Sequence, residues 1–258
     1  MRVLFIGDVF GKPGRRAFAG KLPALRSSEG PFDFVVINCE NAAAGFGMTK
    51  SLMEELFAAG ADVMTSGNHI WDKKEFVQVL DEEQRVLRPV NYPAGTPGRG
   101  FGLFTKNGLT LGVVNVQGRA FMPPIDCPFM ATENALNELG ATAVLVDFHA
   151  EATAEKVAMA RYFDGKVSAL VGTHTHIQTA DNAVLSGGTA FITDVGMTGS
   201  HSGVIGMKYS SVIPKFLLGI PCRFEVEESM PRIQGVVIDI DDETGRALDI
   251  RRVNMSAD

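Results

Sequence analysis

The sequence predicts an α/β fold, and three observations support this prediction. Short apolar runs rich in β-branched residues recur along the chain, as expected for strands buried in a parallel sheet. Amphipathic stretches separate most of these runs, and such alternation is typical of β-α-β units. One pair of runs is joined by a two-residue Asn-Gly turn, which favours antiparallel pairing. The predicted sheet is therefore mixed.

The elements of the first half follow from local signals. A helix is expected to begin near Pro13, because proline suits the first helical turn, and a second helix of about ten residues is expected from Thr49. Asp72 and Glu75 have the spacing of a capping box, so Asp72 is interpreted as a helix cap rather than a catalytic acid. The five predicted strands with polar residues after them cover residues 2–7, 33–38, 62–65, 142–148 and 167–172.

The remaining elements are hairpins and a loop. Residues 101–106 and 109–116 form the predicted hairpin around the Asn-Gly turn, and residues 232–240 and 247–253 form a closing hairpin. The apolar, proline-containing segment 117–130 is interpreted as a surface loop that packs on the core, with a lid or a subunit contact as the alternative. No internal repeat or linker divides the sequence, so one domain over 1–258 is expected.

Composition narrows the function classes. Hydrophobic residues make up 45% of the chain and charged residues 21%, which is ordinary for a globular enzyme. The net charge of −6 provides no general basic surface for holding long nucleic acids. Three cysteines cannot all pair and no signal segment is evident, so a cytoplasmic protein is expected. No apolar run reaches the roughly 18 residues that a membrane span requires.

Side chains able to bind a divalent metal follow all five of these strands. Since the carboxyl ends of parallel strands meet at one edge of a sheet, we expect these side chains to converge. Any one of the histidines alone would be interpreted as a structural residue, but four of the five histidines in the chain belong to this set. The residues are Asp8, Glu40, Asn41, Asn68, His69, His149, His174 and His176.

This set predicts two metal ions. Oxygen and imidazole donors without cysteine indicate iron or manganese, with zinc as the alternative. All members except His69 are candidate ligands, and seven ligands are too many for one catalytic ion. Two ions about 3.5–4 Å apart require a bridging carboxylate, can hold a bridging hydroxide as nucleophile and can polarise a phosphoryl oxygen. Glu40 is the candidate bridge. His174 and His176, two residues apart in a segment taken as extended, would share one face.

The order of these motifs resembles that of the calcineurin-like metallophosphoesterases. The matching segments are Gly7-Asp8, Gly67-Asn68-His69, His149 and the sequence GTHTH at 172–176. Two departures are evident, because Phe10 stands where that superfamily usually has a histidine and Glu40 where it usually has an aspartate. Asn41 would then supply the oxygen ligand that replaces the missing histidine. The resemblance implies mixed β-sheets layered with flanking α-helices and a dinuclear site at the carboxyl ends of the strands.

Longer segments resemble a narrower group, the bacterial YmdB-like phosphodiesterases. They are LFIGDVFGKPGR, INCENAAAGFG, TSGNHIWDKKE, VNVQGRAFM, GTHTHIQTAD and DVGMTGSHSGVIGM, and the similarity extends over nearly the whole chain. The resemblance implies hydrolysis of 2′,3′-cyclic nucleotides, with links to RNA turnover or developmental signalling. It also implies two ligand groups, which are Asp8, Glu40, Asn41 and His176 for one ion and Glu40, Asn68, His149 and His174 for the other.

His69 is left without an ion in this scheme. Next to the cluster, it is interpreted as the general acid that protonates the departing ribose oxygen, the alternative being a histidine that orients the phosphate. Lys12, Arg15 and Arg16 are weaker candidates for phosphate contact, as are Arg119 and Thr198 for substrate contact. Cys39 is expected to pack in the core.

Other functions stay open at this stage. A phosphomonoesterase or nuclease acting on RNA ends, or a metal-containing regulatory protein associated with RNA, would use the same residue types. The expected partner is a small cyclic nucleotide or phosphodiester. No membrane partner is expected, and the sequence leaves a homo-oligomer open.

Overall fold

Two β-sheets lie face to face in the computed structural model, which describes residues 1–257, and helices cover both outer surfaces. The first sheet has the strand order β2-β11-β12-β1-β3-β4, with β13 paired to β12. Its strands are β1 (Arg2–Ile6), β2 (Asp8–Val9), β3 (Phe34–Asn38), β4 (Val63–Thr65), β11 (Met197–Ser200), β12 (Pro231–Ile240) and β13 (Ala247–Ser256).

The second sheet has the order β5-β6-β7-β8-β10-β9, and its central strands β6, β7, β8 and β10 run parallel. Its strands are β5 (Phe101–Lys106), β6 (Leu109–Gln117), β7 (Val144–His149), β8 (Ala169–Thr173), β9 (Ala183–Val184) and β10 (Ala190–Ile192). The helices are α1 (Gly11–Glu29), α2 (Lys50–Ala58), α3 (Val77–Glu82), α4 (Pro128–Leu139), α5 (Thr153–Tyr162) and α6 (Tyr209–Leu218).

The alternation of side chains along the strands explains why both faces of each sheet are buried. On β1, Phe5 points toward the second sheet, whereas Leu4 packs in the cluster that contains α1. On β7, Leu145 points toward the first sheet, whereas Val146 packs in the cluster beneath α4 and α5. A strand buried on both faces shows a nearly continuous apolar run, which is the pattern that marked these strands in the sequence.

Most predicted elements are confirmed within about two residues. Helix α1 has Pro13 in its first turn, and Thr49 caps α2, where its Oγ1 accepts a hydrogen bond from the N–H of Leu52 at 3.4 Å. The hairpin β5–β6 turns at Asn107 and Gly108, which have φ values of 51° and 82°, as a primed two-residue turn requires.

The two stacked sheets are each mixed and are covered by helices, as the family resemblance implied. The apolar runs alone did not divide the strands between two sheets, because periodicity reveals that a face is buried but not which element covers it. One prediction about the fold was wrong in detail. The predicted loop 117–130 ends earlier, since α4 begins at Pro128, which occupies a first-turn position where its missing N–H costs nothing. In residues 1–257, no helix has the length and apolarity to cross a membrane.

The interface between the sheets predicts a clear stability difference. Phe5→Ala should lower the free energy of unfolding by about 3–5 kcal/mol, because it leaves a cavity between two sheets that cannot easily close. Phe121→Ala is the matched control, since Phe121 is 92% exposed, and it should change the value by less than about 0.5 kcal/mol. Urea denaturation measures both, and similar losses for the two variants would contradict the assigned interface.

Candidate active site

Both sheets contribute strand ends to one polar cluster. Asp8 follows β1, Glu40 and Asn41 follow β3, and Asn68 and His69 begin the 3₁₀ turn Asn68–Trp71 after β4. The other contributors come from the second sheet, where His149 is the last residue of β7 and His174 and His176 follow β8. The stacking of the two sheets therefore brings together residues that are far apart in sequence.

Three donor atoms form the centre of this cluster. His149 Nε2 lies 3.0 Å from Glu40 Oε1 and 3.0 Å from His174 Nδ1. One ligand atom from each of these three residues falls within 4.8 Å of the others, so the three could hold one metal ion. Gly67 lies against them, and a Cβ at this position would come within 2.3 Å of both Glu40 Oε2 and His149 Nε2. Glycine is needed there for close approach of the backbone.

The remaining candidate ligands surround this centre. Asp8 Oδ2 accepts a hydrogen bond from the backbone N–H of His174 at 3.1 Å. His176 Nε2 lies 3.3 Å from Asn41 Oδ1, and the Asn41 amide donates to the carbonyl of Gly45, which turns Oδ1 toward the cluster. The structure thus places all seven candidate metal ligands near the ends of strands β1, β3, β4, β7 and β8.

Two buried oxygen atoms in this region lack a hydrogen-bond partner among residues 1–257. They are Asp8 Oδ1 and Asn68 Oδ1. A buried oxygen without a partner is costly, and coordination of a cation would remove this cost. The donor set of carboxylate, amide oxygen and imidazole nitrogen therefore fits a divalent metal ion.

Burial and neighbouring charges also shift the pKa values of the groups in this cluster. Burial raises the pKa of Asp8 well above its usual range. Burial would also raise the pKa of Glu40, but the imidazole of His149 outweighs it and lowers this pKa to about 2. Burial acts to lower the pKa of His149, yet the carboxylates of Glu40 and Asp8 raise it to about 9. Burial and the neighbouring His149 lower the pKa of His174 to about 3. The carboxylates thus attract one positive charge into the cluster.

A chain of hydrogen bonds fixes the orientation of His149. Thr173 Oγ1 donates to Asp147 Oδ1 at 2.7 Å and lies 2.9 Å from His149 Nδ1. Because the hydroxyl hydrogen is used on Asp147, Thr173 accepts from the Nδ1–H of His149, and Nε2 is the nitrogen presented to Glu40. Such support of a metal-ligating histidine is typical of metal sites.

The loop after β8 is held in an unusual conformation. His174 and His176 have φ values of 100° and 66°, so the prediction that they lie in an extended segment was wrong. Asp194 Oδ2 accepts from the N–H and Oγ1 of Thr175 at 3.1 and 2.8 Å, and the fully buried Lys156 donates to the same oxygen. These bonds stabilise backbone torsion angles that non-glycine residues rarely adopt.

His69 is paired with Asp72. Its Nδ1 lies 2.8 Å from Asp72 Oδ2, and its backbone N–H donates to Glu40 Oε2 at 3.1 Å. The prediction that Asp72 caps a helix was wrong, because the next 3₁₀ turn begins at Lys74 and has no side-chain cap. A carboxylate can only accept, so Nδ1 of His69 carries a hydrogen and its Nε2 is left for another partner. The side chain of His69 is 30% exposed.

Sequence reasoning missed several residues of the site. Glu151 Oε2 lies 3.3 Å from His174 Nε2, which leaves Nδ1 of His174 free to face the cluster. Its position two residues after His149 was the available signal. Asp147 lies within a predicted strand, where a polar residue has no distinguishing pattern, and Thr173 directly follows one, beside the more conspicuous His174. Lys156 and Asp194 gave no signal, because their contact joins distant parts of the chain.

The weaker candidates lie elsewhere in the structure. Arg15 pairs with Glu55 and donates to the carbonyl of Ala42. The backbone N–H of Arg119 donates to Glu155, and Thr198 Oγ1 donates to the carbonyl of Gln234. Cys39 packs in the core as expected, and burial raises the pKa of its thiol.

One cavity of about 420 Å³ opens onto the cluster. Lys12, Arg15, Arg16, Arg119 and Thr198 are not among the described residues that line it. Its lining has a polar part at the cluster and an apolar part beyond it. The residues of the polar part are Glu40, Asn41, His69, Glu151, His174, Thr175 and His176.

The family model described as YmdB-like protein matches residues 4–253. The chain belongs to this family. A 2′,3′-cyclic-nucleotide 2′-phosphodiesterase of Bacillus subtilis is 48% identical over 260 residues, covering 100% of this chain and 98% of that protein. The resemblance predicted from the sequence motifs is therefore confirmed for this YmdB-like protein.

Solved structures agree with the fold of this YmdB-like protein. A hypothetical protein of Thermus thermophilus is 44% identical with a TM-score of 0.93, and 99% of each chain is covered. A protein of Mycoplasma pneumoniae described as a novel phosphatase is 32% identical with a TM-score of 0.94, covering 99% of this chain and 93% of that one. The NAD nucleotidase of Haemophilus influenzae, 13% identical with a TM-score of 0.62, shares the fold over 99% of this chain and 56% of its own.

The hydroxyl of Thr173 provides a test of the support for His149. Thr173→Val should reduce metal affinity by about 10–100-fold, because the imidazole loses the partner that orients it. Thr65→Val is the matched control, since the Thr65 hydroxyl also lies within hydrogen-bond distance of Asp147, at 2.5 Å, but contacts the carbonyl of Ile37 rather than a candidate ligand. Metal titration by calorimetry measures both variants. Equal losses of affinity would show that the effect comes from Asp147 alone.

Proposed function

We propose that this protein is a metal-dependent phosphodiesterase that hydrolyses 2′,3′-cyclic nucleotides. One observation carries the proposal: a cluster of metal-binding side chains and a carboxylate-paired histidine line the same cavity. The 48% identical relative named as a 2′,3′-cyclic-nucleotide phosphodiesterase supports the substrate class. The apolar part of the cavity lining suits the non-phosphate part of such a molecule.

The proposal includes two divalent ions with Glu40 as the shared ligand. Iron or manganese is preferred, and zinc is the alternative, because the donors are oxygen and imidazole without cysteine. The proximity of His149 and His174 to Glu40 supports one group, and the contact of His176 with Asn41 supports the other. The first group would be Asp8, Glu40, Asn41 and His176, and the second would be Glu40, Asn68, His149 and His174.

The ions would neutralise the phosphate charge and supply an activated water as the nucleophile. In the overall reaction, water adds to phosphorus, the bond to one ribose oxygen breaks, and that oxygen receives a proton. His69 is the proposed proton donor, acting from Nε2, while the Asp72 carboxylate on Nδ1 orients the ring. Phe46 packs edge-on against the ring of His69, with 5.1 Å between the ring centres, and this contact restricts the movement of the His69 ring.

A phosphomonoesterase is the second candidate. The Mycoplasma pneumoniae structure at 32% identity, described as a phosphatase, favours it. A nuclease acting on long chains is disfavoured by the net charge of −6, because holding many phosphates requires lysine and arginine. An RNA-associated regulatory protein would have no chemical use for a histidine–aspartate pair beside the cluster.

A substrate panel tests the proposed activity. The metal-loaded protein should show its highest kcat/KM on 2′,3′-cyclic nucleotide among 2′,3′-cyclic, 3′,5′-cyclic, mononucleotide and oligoribonucleotide substrates. Faster hydrolysis of the mononucleotide would favour the phosphomonoesterase instead.

Replacement of Glu40 tests its role as the shared ligand. Glu40→Gln should lower metal content and turnover on every substrate, because both ions lose shared charge. Elemental analysis should find close to two ions in the native protein.

The role of His69 is tested by changing the leaving group. His69→Ala should keep both metals but lose about 10²–10⁴ in turnover of 2′,3′-cyclic nucleotide, the range for general acid catalysis. It should lose much less on a nitrophenyl phosphodiester, whose leaving group needs little protonation. His201→Ala is the control, since that ring contacts the carbonyl of Met197 away from the cavity. Equal losses on both substrates would show that His69 orients the phosphate.

A further inference from the structure

The apolar part of the cavity lining includes two phenylalanines, Phe216 and Phe224, which we call the aromatic wall. Phe216 lies in the last turn of α6, and Phe224 follows that helix in the chain. Both residues line the same cavity as His69 and the candidate metal ligands. The aromatic wall and the polar cluster therefore border one continuous space.

The exposure of Phe216 requires an explanation. Phe216 is 75% exposed, although removing a phenylalanine side chain from water is favourable in free energy. Its neighbour Leu217 is 74% exposed but does not line the cavity, so the two side chains point in different directions. Contiguous exposed apolar side chains around a cavity indicate a binding surface.

The composition of the cavity indicates what would cover Phe216. The polar cluster suits a phosphate, and the apolar part of the lining suits the group attached to that phosphate. Lys215 also lines the cavity, with its Nζ 5.2 Å from the centre of the Phe224 ring. An aromatic face beside a hydrogen-bond donor is suited to a nucleobase, which has flat faces and acceptor atoms at its edge.

We propose that the aromatic wall is the nucleobase subsite and that it favours purines. This inference rests on the proposed function, because it takes the phosphate to lie at the metal-ligand cluster. A purine covers more of an aromatic side chain than a pyrimidine does, so it gains more from stacking. The Lys215 ammonium then donates to an acceptor on the edge of the base. The subsite determines specificity, while the chemistry stays with the polar cluster.

The test compares a nucleotide with a substrate that lacks the base. Phe216→Ala should raise KM for 2′,3′-cyclic AMP by about tenfold and leave kcat nearly unchanged, because stacking contributes to binding. The same variant should behave like the native protein on ribose 2,3-cyclic phosphate. Leu217→Ala is the matched control, as it is equally exposed and outside the cavity, and it should keep native KM values. Native protein should also prefer 2′,3′-cyclic AMP to 2′,3′-cyclic CMP.

Other outcomes would overturn the subsite. An equal loss on the base-free substrate would show that Phe216 supports the polar cluster rather than a base. If Leu217→Ala had the same effect, and both variants lowered the oligomeric mass in solution, α6 would be a contact between copies of the chain. Absence of a purine preference in the native protein would remove the specificity claim.

A binding measurement separates this inference from the proposed function. If the metal-loaded native protein hydrolyses neither cyclic substrate, the proposed function fails, and calorimetry with adenosine 3′-phosphate still tests the subsite. Native protein should bind adenosine 3′-phosphate about tenfold more tightly than Phe216→Ala, and the two should bind ribose 3-phosphate equally. Equal affinity of both proteins for adenosine 3′-phosphate would overturn the nucleobase subsite.

Discussion

The carboxylate of Asp147 is the constraint on which the rest of the site depends. It is fully buried on β7 between the two sheets. Asn38 and Thr65, from the first sheet, donate to its Oδ2 at 2.9 and 2.5 Å, and Thr173 of the second sheet donates to Oδ1. A single carboxylate therefore fixes the ends of strands β3, β4, β7 and β8 relative to one another. A satisfied polar network of this kind specifies one arrangement, whereas apolar packing alone tolerates small shifts.

The position of this network links folding to the candidate chemistry. Asn38 lies two residues before Glu40, and Thr173 directly precedes His174. Any movement of one sheet relative to the other would change the distance between Glu40 and His149, which is 3.0 Å here. Metal coordination tolerates little change in ligand position, so a rigid connection beneath the cluster is needed. Lys156 and Asp194 act in the same way on the loop after β8, where both side chains are fully buried.

The sequence predicted what depends on local patterns and on one topological rule. The strands were evident from apolar runs. The rule that parallel strands end at one edge accounts for the meeting of Asp8 with Glu40 in the first sheet and of His149 with His174 in the second. The meeting of these two sets depends on the stacking of the sheets, which only the family resemblance implied, because a strand buried on both faces has the same pattern whichever element covers it. Asp72 was misinterpreted because it lies three residues from both Glu75 and His69. The first spacing matches a capping box, whereas the structure uses the second, across a 3₁₀ turn.

Burial separates two kinds of histidine in the site. His149 is fully buried and His176 nearly so, and with Glu40 and Asp8 they lie where the carboxylates require a positive charge from either a proton or a metal ion. Since Lys156 is already committed to Asp194, it does not supply that charge. In the proposed site, metal and proton would therefore compete for the buried imidazole of His149, and metal binding would add to the free energy of folding. His69, by contrast, has a partly exposed ring and a carboxylate partner of its own, so the proposal keeps it outside the ligand set.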